Sequence, residues 1–321
     1  MKIAFFWTWE FSRNTLQWIL DDWSIEVWLV VSQPDKPVWR KKIITPTPVK
    51  LLAEEKNIKV SQPEKLRNNT EFFSELKWFD FIVVVAYWKI VPNEVLEAPK
   101  YGCINIHGSI LPDYRWASPI QEAVKNWDSE TGLTIMYMSE WMDEGDVLDI
   151  KKVNIDKLDK TEDIFKKFEK ISPRLLIDTL NWIVDWSIKG QKQDDSKATY
   201  CSKISKEDWK IDFENETAIN IYNKYKAYSP WPGIYSYYNE KKLSIEECDY
   251  NEIDLNDDDF NLWDVIELEN EHWAKNREIW IICKWWILIL RQVKLEWKKS
   301  MDILSFINWN KEFLDYNFKT C

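Results

Sequence analysis

Phe81 to Ala86 reads FIVVVA, six apolar residues in a row with no polar residue between them. A strand that alternates in polarity needs one covered face, whereas an uninterrupted apolar strand needs two. The chain therefore has to place layers on both sides of a sheet, and helices flanking a parallel sheet do this most simply. The rest of the first half fits that demand. Strands are expected at 2–6, 25–32, 58–60 and 103–107 as well. Helices are expected between them at 10–20, 48–56 and 92–98, and from Ser118, which caps the turn before Pro119. Two further strands, 132–138 and 147–153, bracket the loop Asp143–Asp146, and a long amphipathic helix at 161–185 closes the region. Right-handed crossovers between such units give a mostly parallel, Rossmann-like α/β sheet.

At 321 residues the chain is long enough for two cores. The polar stretch Lys189–Lys197 reads as a connection, and after Thr199 the pattern changes. A helix near 216–228 leads into Pro230-Trp231-Pro232, and short strands follow around 234–238, 242–248, 263–268, 278–283 and 286–294. Closely spaced short strands of this kind point to a small barrel. The expected division is a domain at 1–188, a linker at 189–205 and an OB-like β-barrel at 206–321. The acidic run Asp249–Asp259 is expected to be a solvated loop of that barrel.

No apolar run reaches the roughly eighteen residues that suggest a membrane span. Met1-Lys2 leads straight into an expected strand, and no signal peptide is expected. The five cysteines, 103, 201, 248, 283 and 321, lack metal-ligand or disulfide-motif spacing, and suit idle thiols in a reducing cytoplasm. A net charge of −11 argues against indiscriminate nucleic-acid binding but leaves room for a local basic patch. One lies between Arg40 and Lys50, in a loop from Gln33 to Pro48 whose four prolines disfavour helix and hold Arg40, Lys41 and Lys42 out toward solvent.

The stretch Gly102–Pro112, GCINIHGSILP, concentrates the chemistry. A β-branched strand ends in His107, one of only two histidines, and the i, i+2 spacing puts Asn105 on the same face. In open α/β sheets, ligands bind beyond the carboxyl ends of the strands. Together with Leu111-Pro112, Tyr114-Arg115, Ala117–Gln121, Glu130–Gly132 and Asp143-Glu144-Gly145-Asp146, this segment resembles the 10-formyltetrahydrofolate-dependent formyltransferases. The likeness runs from Met1 to about Leu314 and is greatest to the branch that acts on initiator methionyl-tRNA.

That resemblance implies attack of an amine on the formyl carbon of 10-formyltetrahydrofolate. Asn105 and His107 would stabilise the developing oxyanion, and Asp146 would support His107 and order a water that takes the amine proton. Asp143 and Glu144 read as loop polarity that positions Asp146, and no metal is expected, since a lone DEGD lacks the spacing of a calcium loop. The folate pocket would include Ser109, Ile110, Leu111 and Pro112, with Tyr87–Val91 and the loop before Asp146. Arg40, with Lys41 and Lys42, would contact the tRNA acceptor end, where phosphate neutralisation supplies much of the affinity. Lys41 stands where the family usually has glycine. The enzyme is expected to work as a cytoplasmic monomer with no membrane partner. Two other readings remain at this point: a formyltransferase for a small sugar or ribonucleotide amine, and a catalytically idle RNA-binding module. The basic loop and the second domain favour the tRNA reading over the former, and the intact Asn105–His107–Asp146 set opposes the latter.

One feature of composition stands apart: 22 tryptophans against 6 glycines. Ordinary usage, about 7% glycine, would give three to four times as many glycines. Trp7 and Trp9 flank the first strand-to-helix turn, Trp127 lies in Asn-Trp-Asp-Ser, and Trp285-Trp286 punctuate two strands. Trp7, Trp9, Trp28, Trp39, Trp88, Trp116 and Trp141 fall where the resembling family usually has glycine. These tryptophans are expected to be UGA codons that the organism reads as glycine, with Trp231 as a true tryptophan.

Overall fold

A computed structural model describes residues 1–7, 10–38, 43–85, 91–253, 261–270 and 276–318. The chain divides into two compact units. The first comprises Met1–Pro119, Glu130–Asn154 and Ile164–Ser202, and the second Ile120–Ser129, Ile155–Asp163 and the chain from Lys203 onward.

In chain order the elements up to residue 201 are β1 (Lys2–Trp7), α1 (Glu10–Leu20), β2 (Glu26–Ser32), β3 (Lys36–Val38), β4 (Ile43–Thr45), α2 (Pro48–Glu55), β5 (Lys59–Ser61), α3 (Thr70–Leu76), β6 (Phe81–Val85), α4 (Asn93–Leu96), β7 (Cys103–His107), β8 (Arg115–Trp116), α5 (Pro119–Lys125), β9 (Glu130–Tyr137), β10 (Val147–Asn154), α6 (Thr161–Val184) and β11 (Tyr200–Cys201). The main sheet runs β10-β9-β7-β6-β1-β2-β5. It is parallel from β7 to β5 and antiparallel where β9 joins β7 and β10 joins β9.

All five residues of β6 are buried, as an apolar strand with two covered faces requires. Side-chain alternation divides the core. Ala4, Phe6, Leu29, Val31, Ile82 and Val84 share one cluster with Phe72 and Leu76 of α3 and with Val95 of α4. Helix α2 starts where Thr47 accepts a hydrogen bond from the Lys50 N–H and Pro48 takes the first turn, and α3 starts where Asn69 accepts from the Phe72 N–H.

The second unit contains α7 (Ala218–Tyr228), β12 (Ile234–Tyr238), β13 (Lys241–Asn251), β14 (Val265–Asn270), β15 (Asn276–Ile282), β16 (Ile287–Leu295), β17 (Met301–Asp302) and α8 (Ile303–Trp309). Its strands form an antiparallel sheet in the order β12-β13-β16-β15-β14, with β17 on β16. Asp249 to Asn251, expected in a loop, extend β13 instead, because Asp249, Tyr250 and Asn251 pair with Ile289, Leu288 and Ile287. Residues 254–259 of that acidic run lie outside the described residues. Among the described residues no helix is long and apolar enough to cross a membrane.

Candidate active site

The site is built at the carboxyl end of β7. Pairing on both sides pins that strand: Asn105 lies opposite Val84 of β6 and Met136 of β9, and His107 lies opposite Thr134. Asn105 is half-buried and His107 is 6% exposed. Nε2 of His107 lies 2.9 Å from the carbonyl oxygen of Tyr114. A carbonyl only accepts, so Nε2 carries a hydrogen, and Nδ1 is the ring nitrogen left to face a carboxylate.

That carboxylate belongs to Asp143. Its Oδ1 lies 3.6 Å from His107 Nδ1 and accepts from Asn105 Nδ2 at 3.4 Å, while its Oδ2 accepts from the Trp116 N–H at 2.9 Å. The backbone is left-handed at Tyr114 (φ 55°), Trp116 (φ 86°) and Asp143 (φ 61°), a conformation that costs a non-glycine residue roughly 1–2 kcal/mol.

Asp146, expected to complete the trio, makes no hydrogen bond or ion pair with Asn105 or His107 among the described residues, whereas Asp143 does. Its main-chain carbonyl accepts from the Tyr137 N–H at 2.9 Å, which carries the β9–β10 ladder one residue beyond β10. A Cβ added to Gly190 would lie 2.7 Å from the Cβ of Asp146 and 3.3 Å from its Oδ2. Burial first, then the charge of Asp146, push the Tyr137 hydroxyl above its ordinary value. Asp143, three residues earlier, occupies the turn that crosses to Asn105 and His107. Gly145 makes this turn possible, since a Cβ there would run into the Tyr137 carbonyl oxygen. The motif contained both aspartates. The pairing register of β9 and β10, which selects between them, is not a local pattern.

The loop Ser109–Pro112 leaves β7 and is fastened from below. Thr134 Oγ1 donates to the Ser109 carbonyl at 2.6 Å and accepts from the Leu111 N–H at 3.2 Å. Ser109 and Leu111 are buried, and the Ser109 hydroxyl donates to the Asp113 carbonyl at 2.5 Å, so their contribution is to shape the loop. Ile110 and Pro112 remain partly exposed at its surface. Val91 is buried in the core, and residues 87–90 lie outside the described ones.

Arg40, Lys41 and Lys42 also lie outside the described residues. The arms before and after them, β3 and β4, pair antiparallel where a loop was expected. A polar cluster fastens the base of these arms. Lys50 Nζ donates to Asp35 Oδ2 at 2.7 Å and to Gln62 Oε1 at 3.0 Å, while Gln62 Nε2 donates to Asp35 Oδ1 at 2.7 Å and to the Gln33 carbonyl at 2.8 Å.

Comparisons with known proteins identify the family. The family model described as "Formyl transferase" matches residues 1–180, and "Formyl transferase, C-terminal domain" matches 203–311. The methionyl-tRNA formyltransferase of Caldicellulosiruptor saccharolyticus is 40% identical over 315 residues, 97% of each chain. That of Sulfurimonas denitrificans is 38% identical over 311 residues, 96% of each chain. Among solved structures, an N-formyltransferase from Helicobacter canadensis, in complex with folinic acid and dTDP-3-aminofucose, has a TM-score of 0.62. At 18% identity, the match covers 90% of this chain and 98% of that one. HypX from Aquifex aeolicus, in complex with tetrahydrofolic acid, has a TM-score of 0.60 at 16% identity, with 98% of this chain and 47% of that one covered. At these identities the two structures speak to the fold.

Proposed function

Since this chain belongs to the formyl transferase family, we infer that it transfers the formyl group of 10-formyltetrahydrofolate to the α-amino group of methionine on initiator methionyl-tRNA. Near-complete coverage of methionyl-tRNA formyltransferases, through both family regions, carries this reading. The folate co-substrate supplies the electrophilic formyl carbon. Asn105 can donate amide hydrogens to the oxyanion that forms as the amine attacks, with no change in its own protonation. His107 can donate or accept a proton in the same space. We assign to Asp143 the task of orienting His107 and receiving the amine proton through a water, because this carboxylate lies within 3.6 Å of both partners. Ile110 and Pro112, partly exposed on the loop fastened by Thr134, are suited to cover a folate ring. One chain carries all three catalytic groups, so the enzyme is proposed to act as a monomer, in the cytoplasm where charged tRNA is used.

A two-acceptor assay tests the reading. Formylation of charged initiator tRNA, with a nucleotide-linked sugar amine as the competing acceptor, should favour the tRNA strongly. Preferential use of the sugar amine would overturn the assignment. In the same assay Arg40→Ala should weaken use of tRNA and flatten its salt dependence while leaving folate binding unchanged, because one phosphate contact is lost. A fall in folate affinity with tRNA binding intact would move Arg40 to the folate site.

We further propose that most of the tryptophans are UGA codons read as glycine in the source. Backbone conformation supports this. Trp116, Trp127, Trp186, Trp263, Trp286 and Trp297 all have φ between 58° and 86°, the region glycine enters without steric cost. Exposure supports it too, since Trp23, Trp78, Trp186, Trp297 and Trp309 are each at least four-fifths exposed.

A further inference from the structure

Residues 190–201, expected to be a simple connection, run as a strap along the first unit. Gln191 and Val147 exchange backbone hydrogen bonds of 2.7 and 2.8 Å. Farther on, the Thr199 carbonyl accepts from the Arg115 N–H at 2.9 Å, and β11 pairs in parallel with β8. Between these anchors Gln193 faces two ways. Its Nε2 donates to the main-chain carbonyls of Asp143 at 2.8 Å and Gly145 at 2.7 Å, the two limbs of the turn that presents the Asp143 carboxylate. Its Oε1 accepts from Nε and Nη2 of Arg115 at 3.1 and 2.9 Å.

Arg115 has no solvent exposure. Its Nη2 also donates to Asp195 at 2.7 Å, and its Nη1 lies 3.8 Å from Glu144 Oε1. Burial alone would lower its pKa, but hydrogen bonds to Asp195 and Tyr200 outweigh that and keep it above its ordinary value. A buried cation is tolerated only while its partners stay in place, so Arg115 ties strap and turn into one geometry. The turn needs such a tie. Asp143 holds a φ of 61°, and the two carbonyls that accept from Gln193 would repel each other without a shared donor. A primary amide supplies two N–H groups on one atom.

We propose that Gln193, oriented by Arg115, is a positioning residue for formyl transfer: it holds the Asp143–Gly145 turn so that the Asp143 carboxylate stays against Asn105 and His107. The proposal rests on the catalytic reading above. The informative variant is Gln193→Glu, which keeps oxygen acceptors for Arg115 and loses both N–H donors to the turn. The variant should fold with a lowered melting temperature, since two hydrogen bonds are lost, its kcat should fall by about tenfold to a hundredfold, and its KM for the formyl donor should change less than about twofold. This is the pattern of a misplaced group rather than a lost binding contact. If glutamate at 193 prevents folding, Gln193→Met, of similar volume, removes donors and acceptor together while Asp195 and Tyr200 still hold Arg115. Crystal structures of parent and variant supply a second readout, in which the 3.6 Å separation of Asp143 and His107 should lengthen in the variant. Parent-like kcat in the folded variant, or an unmoved Asp143, would overturn the proposal. If the parent itself transfers no formyl group, the catalytic reading fails, and the position of Asp143 in the two structures still decides whether Gln193 holds it.

Discussion

At Asp143 one side chain accepts hydrogen bonds from Asn105 and from the Trp116 backbone and faces His107, all from a left-handed turn. Such convergence predicts a large functional effect from a small change. Asp143→Ala should reduce kcat/KM for charged tRNA by about 10²–10³, the range for loss of one polar group acting on the transition state, and Asn105→Ala should do the same. Asp146→Ala, whose side chain lies against Gly190, should stay within about threefold of the parent. The comparison is decisive because the two aspartates are three residues apart. A crippled Asp146→Ala beside an active Asp143→Ala would reverse the assignment.

Among the elements, the β3–β4 pair shows how a segment rich in proline still supplies two paired strands. Pro37 lies in a two-stranded pair that needs few ladder hydrogen bonds, and proline is tolerated at such edges. Its base is held by Asp35, whose carboxyl lies below the usual carboxylate range, through the hydrogen bond from Gln62 and then that from Lys50. A lowered folded-state pKa means that the native state binds fewer protons. The stabilisation is therefore complete above the unfolded value near 3.8 and disappears as pH falls through the lowered folded value. Asp35→Ala should cost about 1 kcal/mol at pH 7, and urea titrations repeated at progressively lower pH should bring variant and parent together. A gap that persisted with the carboxyl protonated would mean that Asp35 acts by packing. Helix α3 had a local signal in its Asn69 cap, but its seven residues are too few to show a helical period. The β8–β11 pair had none, since two residues on each side meet across 85 positions.

For the whole molecule, the excess of tryptophan over glycine bears on every loop. Left-handed backbone at six tryptophans would impose strain throughout, and an indole at Trp116, 46% exposed beside Asp143, would crowd the space a substrate must enter. Protein isolated from its native source should therefore be lighter than 38.8 kDa, with glycine at most of these positions. Peptide mass spectrometry across residues 101–127 checks this, and tryptophan at both 116 and 127 would end the glycine reading.

Some of this architecture was present in the chain as written. The apolar run at 81–85, the strand–helix alternation around it, and Asn105 with His107 at a strand end all follow from local periodicity and side-chain branching. Family likeness added the reaction. Neither local pattern nor likeness set Asp143 beside His107, made a strap of residues 190–201, or set Arg115 at its centre. Those depend on contacts between residues 38 to 85 positions apart, such as Asn105 with Asp143 and Arg115 with Tyr200. Only tertiary structure decides them, because a sheet register slipped by one residue turns every side chain to the other face while leaving the sequence pattern unchanged.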